Sequence, residues 1–370
     1  MKFRLIYLSM AVCFASISSA QLIDKNATAE TKALYKNLKI LSKHHILFGH
    51  QHATEYGHGW YGEENRSDVK GVTGSHPAVI GVDFSGLSGL PDSVIENNAQ
   101  HIKKTITDTY NRGGITTVAW HFNNPVTSTA FYWNDSTAAP AVKMIIPGGT
   151  YHEQYKNILK RIASVLNSAK GNDGKVVPVI FRPYHELDGD WFWWGKSHCT
   201  VDEFKALWKF TVAFLRDSLQ VHSVIYAFSP DCKFTNEAEY LERFPGNDWV
   251  DMVGIDDYAD FGRDGKYDLD AGFKKLKIVN EYAKKAHKLA AFTETGLESI
   301  PQRDWWTNTL LATLKREKLE LCYVLVWRND VTSPTHFYAP FPGQLSAADF
   351  IRFYNDTYTL FENDLKNIYQ

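Results

Sequence analysis

Eight short, near-continuously apolar runs of β-type sequence recur along this 370-residue chain, and amphipathic helical patterns separate most of them. They are His45 to Phe48, Ala78 to Asp83, Ile115 to Trp120, Val176 to Arg182, Ser223 to Phe228, Val250 to Ile255, Leu289 to Thr293 and Cys322 to Val326. A strand that is apolar on both faces has to be covered on both faces, which is the condition of a parallel sheet wrapped in helices. The intervals carry helix signals. Ser93-Val-Ile-Glu96 and Thr200-Val-Asp-Glu203 read as capping boxes, and Gly113-Gly114 as a carboxyl cap. Phe204, Leu207, Trp208, Phe214 and Leu215 share one helical face; Ile158, Ile162, Val165 and Leu166 share another, and Leu276, Val279, Ala283 and Ala286 a third. Eight strands alternating with such helices predict an α/β fold, a closed (β/α)8 TIM barrel. An open doubly wound sheet is the competing architecture, but it asks for a glycine-rich phosphate turn after the first strand, and His50-Gln-His-Ala-Thr54 supplies none.

Composition agrees with one large core: 44% of residues are hydrophobic, 14% are aromatic, and 11 are Trp. The formal charge is −2 and no Lys/Arg block offers a stripe for a phosphate backbone, which argues against a nucleic-acid partner. At the amino terminus, Lys2 and Arg4 precede an apolar run from Leu5 to Ile17 and a small-residue Ser18-Ser-Ala20, the pattern of an export signal. Residues 1–20 are therefore expected to be a signal peptide, and 21–370 the (β/α)8 catalytic domain. Cys13 lies inside the apolar run after the bulky Val12, which does not suit a lipid anchor, and no other run is long enough to span a membrane. Of the remaining cysteines, Cys322 reads as buried packing, and whether Cys199 and Cys232 pair is left open.

In such a barrel the chemistry belongs at the carboxyl ends of the strands. Two carboxylates stand there: Glu186, closing Val179-Ile-Phe-Arg-Pro-Tyr-His-Glu186 after the fourth strand, and Glu294, in Ala290-Ala-Phe-Thr-Glu294 after the seventh. The first is followed by Leu-Asp-Gly-Asp-Trp191-Phe-Trp-Trp-Gly195. Indole faces stack on sugar rings, and desolvation raises a carboxyl pKa enough to keep a general acid protonated, so the pairing suits glycoside chemistry. Long aromatic-rich loops follow the first strand (Gly49 to Val69), the third (His121 to Thr150) and the fourth (His185 to Thr200), all on the same face.

The run Arg182-Pro-Tyr-His-Glu186-Leu-Asp-Gly-Asp-Trp191-Phe-Trp-Trp-Gly195, together with Phe292-Thr-Glu294-Thr-Gly296, Trp327 and Phe48-Gly-His-Gln-His52, resembles glycoside hydrolase family 26, the β-mannanase family. The resemblance implies a retaining double displacement on β-1,4-mannosidic linkages, with Glu186 as acid/base and Glu294 as nucleophile. It further implies that His185 bonds at the reacting subsite, Trp191 shapes the cleft beside the acid, and Tyr258 donates its phenol to the nucleophile. His121 would contact sugar, Trp327 would floor the cleft, and Arg182 would lie beneath the centre. The expected partners are β-mannan poly- and oligosaccharides, and a secreted monomer, periplasmic or extracellular, is anticipated. Rival readings use the same machinery on another β-linked glycan such as β-1,3-xylan or mixed-linkage glucan, or make the chain a catalytically silent carbohydrate-binding protein. The loop Asn123 to Thr150, with Phe131-Tyr-Trp133, could close one end of the groove and favour release of mannobiose.

No metal or other cofactor is expected. His50, His52 and His58 invite a metal reading, but the further ligands of a metal-dependent barrel hydrolase are missing, with only Asp330 in a suitable place. Asp188, Asp190, Asp256 and Asp257 read as turn formers or acceptors of sugar hydroxyls, and Asp83 as a structural partner in the barrel mouth. Of Trp191, Phe192, Trp193 and Trp194, two are expected to face substrate and two to brace the loop.

Overall fold

A computed structural model describes residues 22–127, 130–134 and 138–370. The export-signal reading, including Cys13, lies outside the described residues. Eight strands form the barrel: β1 (Ile46–Gln51), β2 (Val79–Asp83), β3 (Ile115–Ala119), β4 (Val179–Arg182), β5 (Val224–Phe228), β6 (Met252–Asp256), β7 (Leu289–Thr295) and β8 (Tyr323–Val326). Each pairs in parallel with its sequence neighbour, and β8 returns to β1 with Leu47 opposite Tyr323 and His50 opposite Val326, closing the ring.

The continuous apolar character of these runs has a direct cause in the packing. Alternate residues face opposite ways, so Leu47, Val79, Ile115, Ile180, Ile225 and Met252 fill the barrel interior, while Ile46, Phe48, Val82 and Phe181 face the helix layer. The interior cluster continues downward into the helix Ala29–Leu41, whose Leu34 and Leu38 seal the amino-terminal mouth. Gly49 stands where β1 comes closest to both neighbours: a Cβ there would lie 3.2 Å from the Cβ atoms of Leu325 and Val79. Cys322 is buried in the interior cluster, and all three cysteines of the described chain are free thiols, so Cys199 and Cys232 are not bridged.

Several local expectations change. The helix Asp92–Arg112 begins before Ser93, because the carbonyl of Pro91 accepts the amides of Val94 (2.9 Å) and Ile95 (3.0 Å), and there is no side-chain cap. Ser93 thus sits within the first turn and no capping box forms there. Thr200 does build its box with Glu203, and Gly113 ends its helix at φ 93°. β4 starts at Val179 rather than Val176, since Pro178 has no N–H to give the ladder. Two pieces of strand were not anticipated, each only two residues per strand and too short for a periodic signal. One is the hairpin pairing Tyr56–Gly57 with Trp60–Tyr61; the other, Thr359–Leu360, pairs with β1. Among the described residues no helix is long and apolar enough to cross a membrane.

Candidate active site

β4 ends at Arg182, and the chain turns sharply through Pro183 to Glu186. Tyr184 (φ 52°) and Glu186 (φ 53°) both adopt the left-handed region that side-chain-bearing residues avoid. The turn is held from outside itself. The Glu186 amide donates to the Ser229 carbonyl beyond β5 (2.9 Å), and the Glu186 carbonyl accepts from the Gly189 amide (3.1 Å). This aims the Glu186 side chain across the barrel mouth. Glu294, within β7, stands in register with Asp256 at the end of β6. One carboxylate oxygen from each of Glu186, Asp256 and Glu294 lies within 4.8 Å of the others, although the two glutamates are 294 − 186 = 108 residues apart in sequence.

Arg182 organises this group from below. Its side chain is buried, with Nη1 donating to Asp256 Oδ2 (2.8 Å) and Ser229 Oγ (2.8 Å), and Nη2 pairing with Glu294 Oε1. The second oxygen of Glu294 accepts from the Tyr258 hydroxyl at 3.0 Å. Thr293 Oγ1 donates to Asp256 Oδ1 at 2.6 Å. Asp256 therefore belongs to a buried ion-pair network at a strand end and is not a loop turn former. Among the described residues the Glu186 carboxylate has no cationic partner, and it accepts the Trp191 indole N–H at 2.6 Å. Burial, reinforced by the charges of Asp231, Glu294 and Asp256, pushes the Glu186 pKa well above the usual carboxylate value, against the pull of that indole. Burial pushes the Asp256 pKa well up too, against the pull of Arg182, and of the three carboxyl groups Glu186 is the one that the guanidinium does not bond.

Beside this centre, Asp83 at the end of β2 accepts from the His121 backbone amide (3.1 Å) and from its Nδ1 (2.5 Å). Burial works to raise the Asp83 pKa, but His121 outweighs it and holds the carboxyl down at about 2. His121 Nε2 lies 3.3 Å from His185 Nε2, and burial with the charges of His121 and Arg182 drives the His185 pKa well down, keeping that imidazole neutral. The aromatic run after Glu186 divides two and two. Trp191 and Phe192 border the cleft; Trp193 and Trp194 are fully buried, donating to the carbonyls of Phe122 (2.6 Å) and His185 (2.9 Å). The cleft itself has a volume of about 330 Å³, with Glu186 and Glu294 in its wall and Trp327, His121, His185 and Tyr258 around them.

Residues 23–329 match the model of glycosyl hydrolase family 26. The chain belongs to that family. It is 38% identical over 287 residues to a mannan endo-1,4-β-mannosidase of Bifidobacterium adolescentis, covering 75% of this chain but 28% of that protein. A mannan endo-1,4-β-mannosidase of Bacillus subtilis is 25% identical, with 74% and 72% covered. Among solved structures, a GH26 β-mannanase from Bacteroides ovatus superposes with a TM-score of 0.85 at 39% identity, covering 93% of this chain and 98% of that one. The GH26C structure from Muricauda sp. MAR_2010_75 gives 0.87 at 36% identity, with 94% and 96% covered.

In this family 26 chain every residue anticipated at the site reaches it: Glu186, Glu294, His121, His185, Trp191, Tyr258 and Trp327 border the cleft, and Arg182 underlies it. Sequence reasoning missed Arg263, His336 and Tyr338, which border the same cleft from the loops after β6 and β8. Those loops are irregular and follow no period; their place after a strand end was the only signal available. The other three acids of that group serve backbone. Asp188 accepts the amides of Asp231 (2.6 Å) and Lys233 (3.1 Å), Asp190 that of Ser197 (2.8 Å), and Asp257 that of Asp260 (3.1 Å).

His50 at the end of β1 and His52 and His58 in the loop after it do not converge on one point. His52 pairs with Glu55, His58 stacks on Phe341 with ring centroids 3.8 Å apart, and His50 is buried; none borders the cleft. Among the described residues, the one group of metal-ligand type is Glu186, Asp256 and Glu294. There the Arg182 guanidinium already bonds two of the three carboxylates and supplies the positive charge.

Proposed function

We propose that this chain is a retaining mannan endo-1,4-β-mannosidase. The observation that carries the mechanism is the approach of the Glu186 and Glu294 carboxylates to within 4.8 Å. Retaining glycosidases need about 5 to 5.5 Å between the two carboxyl groups, and inverting ones about 6.5 to 9.5 Å to admit a water. Glu294, hydrogen-bonded by Arg182 and Tyr258, attacks the anomeric carbon of the mannosyl unit. Glu186 delivers its proton to the departing glycosidic oxygen, then removes a proton from the water that releases the glycosyl-enzyme. His121 and His185, within reach of each other, with His121 braced by Asp83, present ring nitrogens to the sugar hydroxyls, and Trp327 offers an apolar face.

The relatives' names support β-1,4-mannan as substrate and internal cutting as the mode, in preference to mannobiose release. The Phe131–Trp133 stretch also favours an open groove, because it is tied back along the β4 loop. Trp133 N–H donates to the Trp191 carbonyl at 2.6 Å, and its indole stacks on His198 at 3.8 Å. The leader-like 1–20 segment supports export and action outside the cytoplasm.

Rates on mannan, mixed-linkage glucan and β-1,3-xylan test the substrate, with viscosity followed against reducing ends. Mannan should be cut fastest, with viscosity falling early. Equal or faster cutting of another glycan refutes the sugar assignment, and binding without any release of reducing ends refutes hydrolysis. Glu294→Ala should lower kcat by at least about four orders of magnitude. A loss of only a few-fold removes Glu294 from the nucleophile role.

A further inference from the structure

Among the described residues only three Phe, Tyr or Trp side chains are largely exposed: Tyr61 (68%), Tyr132 (52%) and Tyr267 (43%). All three lie on loops that follow the carboxyl ends of barrel strands, after β1, β3 and β6. No other described Phe, Tyr or Trp is exposed to that degree. A large aromatic ring left in water on one face alone points to a ligand that covers it.

Tyr267 has the most developed surroundings. It borders a second cavity of about 420 Å³ between the loops after β6, β7 and β8. That cavity shares Tyr258, Arg263 and Tyr338 with the catalytic cleft, so the two adjoin. Its wall is backbone-lined on purpose. The Tyr267 ring lies directly on Gly262, where a Cβ would stand 2.6 Å from the ring's Cζ, and Gly262 itself has φ 114°. Gly296, at φ 141°, gives the same clearance to Tyr338, whose Cδ1 would lie 2.6 Å from an added Cβ. Polar groups stand at the rim. The Arg263 guanidinium sits 4.7 Å over the Tyr258 ring at the junction of the two cavities, and Glu298, paired with His336 at 2.7 Å, lines the second one. Flat aromatic surface, glycine-cleared space and a few hydrogen-bonding groups match a pyranose, which has apolar C–H faces and an equatorial rim of hydroxyls.

Resting on the mannanase reading above, we propose that this cavity is a distal subsite that holds a further mannosyl unit of the polymer, with the Tyr267 ring as its platform. The subsite lies beyond the reacting bond, so its contacts act only on chains long enough to reach it, and they add binding energy remote from the chemistry.

The experiment measures kcat/KM for β-1,4-mannooligosaccharides of increasing length with wild type, Tyr267→Ala and Tyr267→Phe. An aromatic stack is worth about 0.5–1.5 kcal/mol, or about two- to ten-fold. The long-to-short ratio of kcat/KM should therefore fall by roughly that factor in Tyr267→Ala and stay near wild type in Tyr267→Phe, which keeps the ring. A ratio unchanged in Tyr267→Ala, or an equal loss at every length, overturns the proposal. A wild type that cuts no mannooligosaccharide but cuts another β-glycan refutes the mannan reading, and the same length series on that glycan then decides whether the cavity is a subsite.

Discussion

Replacing Trp191 with Phe probes the proton that Glu186 has to hold. The indole N–H donates to Glu186 Oε2 at 2.6 Å and favours the ionised carboxylate, while burial and the charges of Asp231, Glu294 and Asp256 favour the protonated form. Phe keeps an aromatic ring in the cleft wall and deletes only the donor. Loss of a donor to the charged form raises the pKa, so the basic limb of kcat/KM against pH should move to higher pH. A hydrogen bond to a charged group is worth about 1.5–3 kcal/mol, and one pKa unit corresponds to about 1.36 kcal/mol, which sets an upper bound of about one to two units. Glu186 is only partly buried and opens on the cleft, where water takes over some of the lost bond. The expected shift is therefore about half a unit to one unit upward. The assay is a pH series of initial rates at low substrate on a soluble mannooligosaccharide. A weaker grip on substrate lowers the whole curve without moving its limbs, so the limb isolates the acid. A basic limb that stays in place or moves to lower pH refutes both the assignment of that limb to Glu186 and the role given to the indole.

Asp231→Asn should act with the opposite sign: removing a negative charge beside Glu186 lowers its pKa, and the basic limb moves to lower pH, which the same pH series reads. Arg182→Met strips the buried Asp256 and Glu294 of their cation and should destabilise the fold by about 3–5 kcal/mol in urea unfolding. That loss should shrink in acid, where the carboxyls take up protons, and a loss under about 1 kcal/mol refutes the network's role. Gly254→Ala would set a Cβ 2.5 Å from Thr293 Cγ2 and so displace the hydroxyl that bonds Asp256. It should cost about 1–3 kcal/mol of stability and lower kcat, and a variant with wild-type melting and rates shows that the strand has room.

The eight strands were readable because a strand covered on both faces leaves an unbroken apolar run, a local property that survives in one dimension. Position then did the rest for Glu186 and Glu294: a carboxylate just past such a run falls at the barrel mouth wherever the strand stands in the chain. The aromatic run also divided as a local reading suggests, with Trp191 and Phe192 at the cleft and Trp193 and Trp194 inside. The sequence held no sign of the left-handed turn at Tyr184 and Glu186, because the bond that fixes it comes from Ser229, just beyond the neighbouring strand. Asp256 looked like a loop acid until ring closure set it against Arg182, and Arg263, His336 and Tyr338 entered the cleft from loops that have no period to read. By itself the sequence determined which groups stand at strand ends. Only closure of the barrel decided which of them meet, since two glutamates 108 residues apart become neighbours through the hydrogen-bonded ring of strands and through no feature near either one.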